Sequence, residues 1–98
     1  MRKITQDAVN AFENNINYKS GNTQIVGGQY FLHGNKIAEY SSLFNDGNRD
    51  IDITLAGYNT DTTRERLNGL QGVDIKVNKG VIYLNGVQWD GEWVTIKR

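Results

Sequence analysis

The chain has 98 residues, of which 38% are hydrophobic and 22% are charged, and it contains neither cysteine nor proline. The lack of cysteine excludes disulfides, thiolate nucleophiles and cysteine-based zinc or iron–sulfur sites, and a single histidine, His33, excludes a two-histidine metal site within one chain. Eleven basic residues balance eleven acidic ones, so no net field draws the protein to duplex nucleic acid or to an anionic membrane, although this balance is compatible with a local basic patch.

The amino-terminal segment predicts a helix that begins at Gln6 and ends near Asn15. Thr5 can serve as its N-cap residue, and Ile4 and Val9 have the spacing of a hydrophobic staple across that cap. Apolar residues recur along the segment with helical periodicity. They are Ala8, Val9, Phe12 and Ile16. We therefore expect this helix to cover a sheet.

Alternation of apolar and polar residues predicts strands after a polar linker at residues 18–22. The pairs Gly27-Gly28 and Gly34-Asn35 suit two-residue hairpin turns, which need residues that tolerate positive φ. The strands that these turns define are residues 23–26, 29–33 and 36–40. A fourth strand follows the loop at 45–49, and its apolar positions are Ile51, Ile53 and Leu55.

A second, short helix is predicted near residues 62–68. Thr62 and Glu65 have the spacing of a capping box, and Gly69 suits the position just after a helix. The side that would dock on the core is formed by Thr63, Leu67 and Leu70.

Three pairs of turn residues, at 79–80, 85–86 and 90–91, predict a carboxy-terminal meander in a single register. The cross-strand pairs of this register are Ile75–Leu84, Val77–Ile82, Leu84–Val87 and Val87–Val94. One face then belongs to the core and comprises Val73, Ile75, Val77, Ile82, Leu84, Val87, Trp89, Val94 and Ile96. The predicted fold class is α+β: a small antiparallel sheet of short hairpins with an N-terminal helix and a second short helix, in one domain spanning residues 1–98.

The opposite face of the meander is the first candidate binding surface. Its members are Lys76, Tyr83, Gln88 and Trp93. Neighbouring strands place paired Cβ atoms about 5 Å apart, so these side chains would form one continuous strip. An aromatic ring flanked by hydrogen-bond donors suits stacking on a base, a sugar or a partner's side chain. The alternative is that Trp93 packs beneath a helix or a loop, because large aromatic side chains are usually mostly buried.

The start of the second helix is the other candidate surface, for an anion or a phosphate. Its members are Tyr58, Thr60, Thr62, Thr63, Arg64 and Arg66. Unpaired backbone N–H groups at a helix amino terminus favour an anion, and arginine can clamp a phosphate. The alternative is helix capping by the threonines, with Arg64 and Arg66 in surface ion pairs. These arginines are two residues apart and would project about 200° from each other.

The sequence offers no defensible catalytic constellation. His33 lacks an assigned nucleophile or orienting partner, and Asp50 and Asp52 alternate on one strand face as solvated acids commonly do. Asp46, Asn48 and Asp50 are spaced like oxygen ligands of a cation, but the glutamate expected at the twelfth position of an EF-hand is missing. We therefore predict a protein that is not an enzyme and that has no metal site and no cofactor.

Three stretches of the chain resemble a family of short, functionally uncharacterised tailed-bacteriophage proteins. They are residues 32–38 (LHGNKIA), residues 56–70 (AGYNTDTTRERLNGL) and residues 83–86 (YLNG), the last followed by Trp89 and Trp93. The resemblance covers most of the chain and implies a phage origin, but no catalytic residue can be transferred. Tyr58 stands where tryptophan is expected in that family, which preserves an aromatic ring and not an indole.

Small phage accessory proteins often act by binding, so we expect a protein that binds and modulates a host protein, as an inhibitor in host takeover or anti-defence. The alternative is a binder of nucleic acid or of a phosphate-containing nucleotide through residues 60–66. A homo-oligomer would also account for an exposed aromatic strip. Because no apolar run approaches the roughly 20 residues that span a bilayer, we expect no membrane partner and a location in the host cytoplasm.

Overall fold

A computed structural model describes the backbone of residues 2–45 and 48–98 and the side chains of residues 2–41 and 49–98. The described residues form two helices, α1 (Lys3–Glu13) and α2 (Asp61–Asn68). The strands are β1 (Tyr18–Ser20), β2 (Thr23–Val26), β3 (Gln29–Leu32), β4 (Asn35–Asn45), β5 (Asn48–Ile53), β6 (Ile75–Asn78), β7 (Val81–Leu84), β8 (Val87–Gln88) and β9 (Val94–Ile96). The predicted α+β class, with its two helices and its short antiparallel strands, is confirmed.

The strands form two antiparallel sheets. The larger has the order β1-β2-β3-β4-β5-β9, and the smaller has the order β6-β7-β8. The prediction of a polar linker at residues 18–22 is wrong, because Tyr18 pairs with Ile25 and starts the edge strand β1. The turn between β3 and β4 is formed by His33 and Gly34, one residue earlier than predicted, because Asn35 already pairs with Leu32.

Helix α1 begins three residues before the predicted start. Arg2 occupies the N-cap position, and Thr5 lies inside the helix with its side chain buried, so Thr5 is not the cap and no staple forms across it. The buried stripe is Thr5, Ala8, Ala11 and Phe12. Ile16 falls beyond the end of the helix and is 57% exposed, which corrects its assignment to this face.

Helix α2 begins at Asp61 with Thr60 as its N-cap, so the predicted Thr62–Glu65 capping box is wrong. The docking side is confirmed, since Thr63, Leu67 and Leu70 are buried.

Gly69 ends α2 with a φ of −73°, so left-handed backbone is not what this position requires. A Cβ atom at this position would lie 2.7 Å from Cγ2 of Thr5 and 2.9 Å from Cγ2 of Val9. Gly69 therefore allows α1 and the end of α2 to approach closely.

The first part of the meander register is confirmed, because the pairs Ile75–Leu84, Val77–Ile82 and Leu84–Val87 are all present. The last predicted pair is wrong. Val94 pairs with Ile53, so β9 completes the larger sheet instead of extending the smaller one. As a result Val77 is 40% exposed and Val87 is 69% exposed, and the prediction that both belong to the core is wrong.

Contacts on both sides of β9 explain this change of sheet. The carbonyl oxygen of Gly91 accepts hydrogen bonds from the Leu55 amide and the Thr54 hydroxyl, each at 2.9 Å. At the other end, the Arg98 guanidinium bonds both carboxylate oxygens of Glu13 in α1, at 2.6 and 3.2 Å. These long-range bonds anchor the segment before β9 to the end of β5 and the segment after β9 to α1.

Substitution of Gly69 tests the close approach of the helices. Gly69→Ala should lower the free energy of unfolding by about 1–3 kcal/mol, because an overpacked contact forces the helices apart. Urea unfolding followed by circular dichroism measures the loss. The double variant Thr5→Ser, Gly69→Ala removes the closest methyl group and keeps the hydroxyl, so it should recover part of the stability. Equal stability of Gly69→Ala and the wild type would contradict this packing.

Candidate ligand-binding site

A pocket of about 430 Å³, called the main pocket below, lies between the amino-terminal turn of α2 and the β3–β4 turn. Its apolar lining consists of Leu32, Ile37, Leu55, Ala56 and the ring of Tyr58. Its polar lining consists of His33, Asn35, Thr60, Thr62 and Thr63. Leu32, Ile37 and Leu55 are buried core residues, so the floor of the pocket is the hydrophobic core itself.

Two residues that line the main pocket hold backbone conformations that are unfavourable for their side chains. His33 has a φ of 53° and Ala56 a φ of 54°. The surrounding structure fixes both, because the His33 amide donates to the carbonyl of Asn22 at 2.8 Å and the Ala56 amide donates to the Thr54 hydroxyl at 3.0 Å. Each such residue costs about 1–3 kcal/mol, and such residues cluster at binding sites.

The threonines at the start of α2 differ in the hydrogen bonds that their hydroxyls make. The Thr60 hydroxyl accepts a hydrogen bond from the Thr63 amide at 3.2 Å and lies 2.9 Å from the Thr63 hydroxyl, so it caps the helix. The Thr62 side chain makes no hydrogen bond to the described residues. Tyr58 is 55% exposed. The Thr62 hydroxyl and the Tyr58 ring are therefore available to a ligand.

The two arginines of the predicted anion site point to different places and do not join the threonines in one cluster. Arg64 bonds to Asn59 and to Asp61 on the surface, as the ion-pair alternative expects. Arg66 is only 4% exposed. Its Nε donates to the Thr23 hydroxyl at 3.2 Å and its Nη1 to the Thr5 hydroxyl at 3.0 Å.

Arg66 also forms an ion pair with Glu65, and the Thr5 hydroxyl donates to the same carboxylate. The hydroxyl of Tyr30 is buried near this pair and has no hydrogen-bond partner among the described residues. Burial raises the pKa of the Tyr30 hydroxyl, and the Arg66 charge offsets only part of the rise. The Tyr30 hydroxyl therefore stays neutral beside the ion pair of Arg66 and Glu65.

A second pocket of about 300 Å³ adjoins the main pocket. The two share Leu32, His33 and Thr62. The second pocket adds Arg2 and Arg66, together with polar residues of the β1–β2 turn. Arg66 thus belongs to this neighbouring pocket, whereas Arg64 lines neither of the two.

The predicted aromatic strip is present in part. Lys76 pairs with Tyr83, and Tyr83 pairs with Gln88, so these three form a row across β6, β7 and β8. Trp93 does not continue the row, because the pairing of Val87 with Val94 that placed it there is wrong. Trp93 is 47% exposed, which contradicts its burial beneath a helix or a loop, and the centroid of its ring lies 6.0 Å from Nζ of Lys36.

The acidic residues of β5 have structural partners. Asp50 is buried and accepts a hydrogen bond from the Arg98 amide at 3.1 Å, which corrects its interpretation as a solvated acid. Asp52 accepts one from the Thr95 hydroxyl at 2.6 Å. Asp46 and the side chain of Asn48 lie outside the described residues. Within residues 2–45 and 48–98, no three His, Asp or Glu residues are grouped so that they could hold a metal ion.

Sequence reasoning missed the residues that strands and turns far along the chain contribute to the pockets. Leu32, Ile37 and Leu55 lie on predicted strands and Arg2 precedes the predicted first helix, so no local pattern marks them as pocket residues. His33 occupies a turn position with positive φ that asparagine, aspartate or glycine usually fills, but the predicted turn at Gly34-Asn35 does not include it.

Comparison with protein-family models gives a match over nearly the whole chain. The model of the Kyanoviridae Gp96 protein matches residues 1–96. The chain belongs to the Kyanoviridae Gp96 family. It is therefore a phage protein, as the resemblance in its sequence predicted. The comparisons found no curated protein and no solved structure similar to the chain.

Membership of the Kyanoviridae Gp96 family thus indicates the phage origin of the chain. No helix in the described part of the chain is long and apolar enough to cross a membrane.

Removal of the Arg66 charge tests the cluster that holds α2 against α1. Arg66→Met keeps an apolar stem but leaves Thr5, Thr23 and Glu65 without their partner, so the free energy of unfolding should fall by about 3 kcal/mol. Arg66→Lys keeps the charge and loses the forked geometry, so its loss should be smaller. Chemical denaturation measures both. A wild-type midpoint for Arg66→Met would show that the cluster does not stabilise the fold.

Proposed function

We propose that this phage accessory protein acts by binding a nucleoside-class small molecule in the main pocket, without catalysing a reaction, in the host cytoplasm. The observation that carries the proposal is the main pocket itself. Its volume of about 430 Å³ falls within the usual range for small-molecule sites, and a mostly apolar lining with a few convergent polar groups is typical of them.

The composition of the main-pocket lining favours an uncharged, partly aromatic group of the ligand. No Asp, Glu, Lys or Arg of the described residues lines the main pocket. Leu32, Ile37 and Leu55 offer apolar contacts to a flat ring, and Tyr58 offers a face for stacking. Hydroxyl and imidazole groups of Thr62 and His33 can bond to polar edges of a base or to a sugar. A base joined to a ribose meets all of these requirements.

Removal of the exposed Tyr58 ring tests the binding of a nucleoside in the main pocket. The four ribonucleosides and their 5′-monophosphates are titrated into the isotopically labelled protein, and amide chemical shifts report both the affinity and the location. Tyr58→Ala should weaken the best-bound compound about tenfold or more, because stacking on an aromatic side chain contributes about 1–3 kcal/mol.

Tyr83→Ala is the matched control, because Tyr83 is a tyrosine on β7 that does not line the main pocket. It should leave the affinity unchanged. If none of the eight compounds shifts the amides of residues 55–63, the proposed function is wrong.

A second candidate function is docking of a host protein on the three-stranded sheet. Val77 and Val87 lie on the same face of this sheet as the buried Ile75 and Leu84, yet they are exposed. An apolar sheet face that extends beyond its own core is a common feature of protein-binding surfaces. The row of Lys76, Tyr83 and Gln88 on the opposite face offers polar and aromatic contacts instead.

Adjacent residues of β8 distinguish the two faces. Val87 and Gln88 are both exposed and point to opposite sides of the sheet. We expect Val87→Lys to abolish capture of a host protein that the wild type captures from lysate, and Gln88→Lys to retain it. Loss of capture with Gln88→Lys, but not with Val87→Lys, would place the docking surface on the face that carries Lys76, Tyr83 and Gln88. Capture that is unchanged in both variants would exclude this sheet as the docking surface.

A further inference from the structure

The second pocket differs from the main pocket in charge. Arg2 and Arg66 both line it, and no Asp or Glu of the described residues does. Arg2 is exposed and has no ion-pair partner within the described chain. Arg66 is paired with Glu65, so the net charge at this pocket comes chiefly from Arg2. A pocket of this composition attracts an anion.

The guanidinium of Arg66 is held in place before any ligand arrives. Its Nε and Nη1 are bonded to Thr23, Thr5 and Glu65, whereas Nη2 makes no hydrogen bond to the described residues. A donor that is already oriented loses little conformational freedom on binding. Arg66 can therefore present Nη2 to an anion at little entropic cost.

The amino terminus of α1 adds backbone donors at the same place. The first helical hydrogen bond runs from the Gln6 amide to the Arg2 carbonyl, so the amides of the preceding residues have no acceptor within the helix. Arg2 provides no side-chain cap, and the first turn of α1 contains no acidic residue. Ile4 of this turn lines the second pocket together with Arg2. The helix dipole and these amides favour negative charge there.

The two pockets are adjacent because Leu32, His33 and Thr62 line both. A ligand whose uncharged part occupies the main pocket would carry a substituent past His33 and Thr62 into the second pocket. We infer that the second pocket is a phosphate subsite and that the ligand is a nucleoside phosphate. This inference rests on the proposed function, and it names the group that distinguishes the ligand from a plain nucleoside.

The test compares each ribonucleoside with its 5′-monophosphate by isothermal titration at low and at high salt. The monophosphate should bind about tenfold more tightly, because charge-assisted hydrogen bonds to phosphate are strong. The advantage should shrink at high salt, since Arg2 is exposed and its interaction is screened. The affinity of the nucleoside should not depend on salt.

Arg2→Gln should abolish most of the difference in affinity between the monophosphate and its nucleoside, and it should leave the affinity of the nucleoside unchanged. Arg2 is suited to this test because its side chain does not cap α1, so the fold is expected to tolerate the change. Lys3→Gln is the matched control: it removes the same charge from the next residue, whose side chain pairs with Asp7 at 3.0 Å. Lys3→Gln should retain the advantage of the monophosphate.

Three outcomes would contradict the phosphate subsite. A monophosphate that binds no more tightly than its nucleoside overturns the subsite and leaves the proposed function intact. A monophosphate that binds more tightly but responds equally to Arg2→Gln and Lys3→Gln places the phosphate outside the second pocket and also overturns the inference. Failure of both compounds to bind overturns the proposed function together with the subsite.

Discussion

Arg66 brings a charged guanidinium into the core at the place where α1, α2 and β2 meet. A charge at such a depth is tolerated only when it is paired and most of its donors are bonded, and here Thr23, Thr5 and Glu65 accept from Nε and Nη1. These bonds fix α2 relative to α1 and to the larger sheet. Because the start of α2 forms one wall of each pocket, the position of both pockets depends on this cluster.

The same cluster explains features of the core that an apolar pattern would not contain. Thr5 occupies a buried position of α1 because its hydroxyl is needed by Glu65 and Arg66. The helices can approach closely enough for these bonds only because Gly69 has no side chain at their contact. Tyr30 lies close by, and burial keeps its hydroxyl protonated. Polar bonding and close packing therefore stabilise the same helix contact.

The arrangement separates two kinds of ligand contact that a single surface would mix. The main pocket has a floor of core side chains and no Asp, Glu, Lys or Arg among its described lining residues, whereas the second pocket has two arginines and the amino terminus of α1. His33 lies between them on a two-residue turn with positive φ. This turn lies at the junction that the proposed ligand would cross between the two pockets. The different linings of the two pockets suit the proposed ligand, whose base and ribose are uncharged and whose phosphate is anionic.

The sequence alone determined what depends on neighbouring residues. Alternation and turn chemistry predicted β2 and the register of β6, β7 and β8, and helical spacing predicted the docking side of α2, because these features are set within a few residues. Four residues that line the main pocket, Tyr58, Thr60, Thr62 and Thr63, are close in sequence and belong to the predicted anion site, whose two arginines line other surfaces. Only the tertiary structure decided the rest. β9 joins the larger sheet because Gly91 and Arg98 contact residues dozens of positions away. The burial of Arg66 depends on hydroxyls supplied by α1 and β2. The floor of the main pocket comes from strands whose periodicity predicts only that their residues belong to the core. Such contacts join residues distant in the chain, so no local pattern records them.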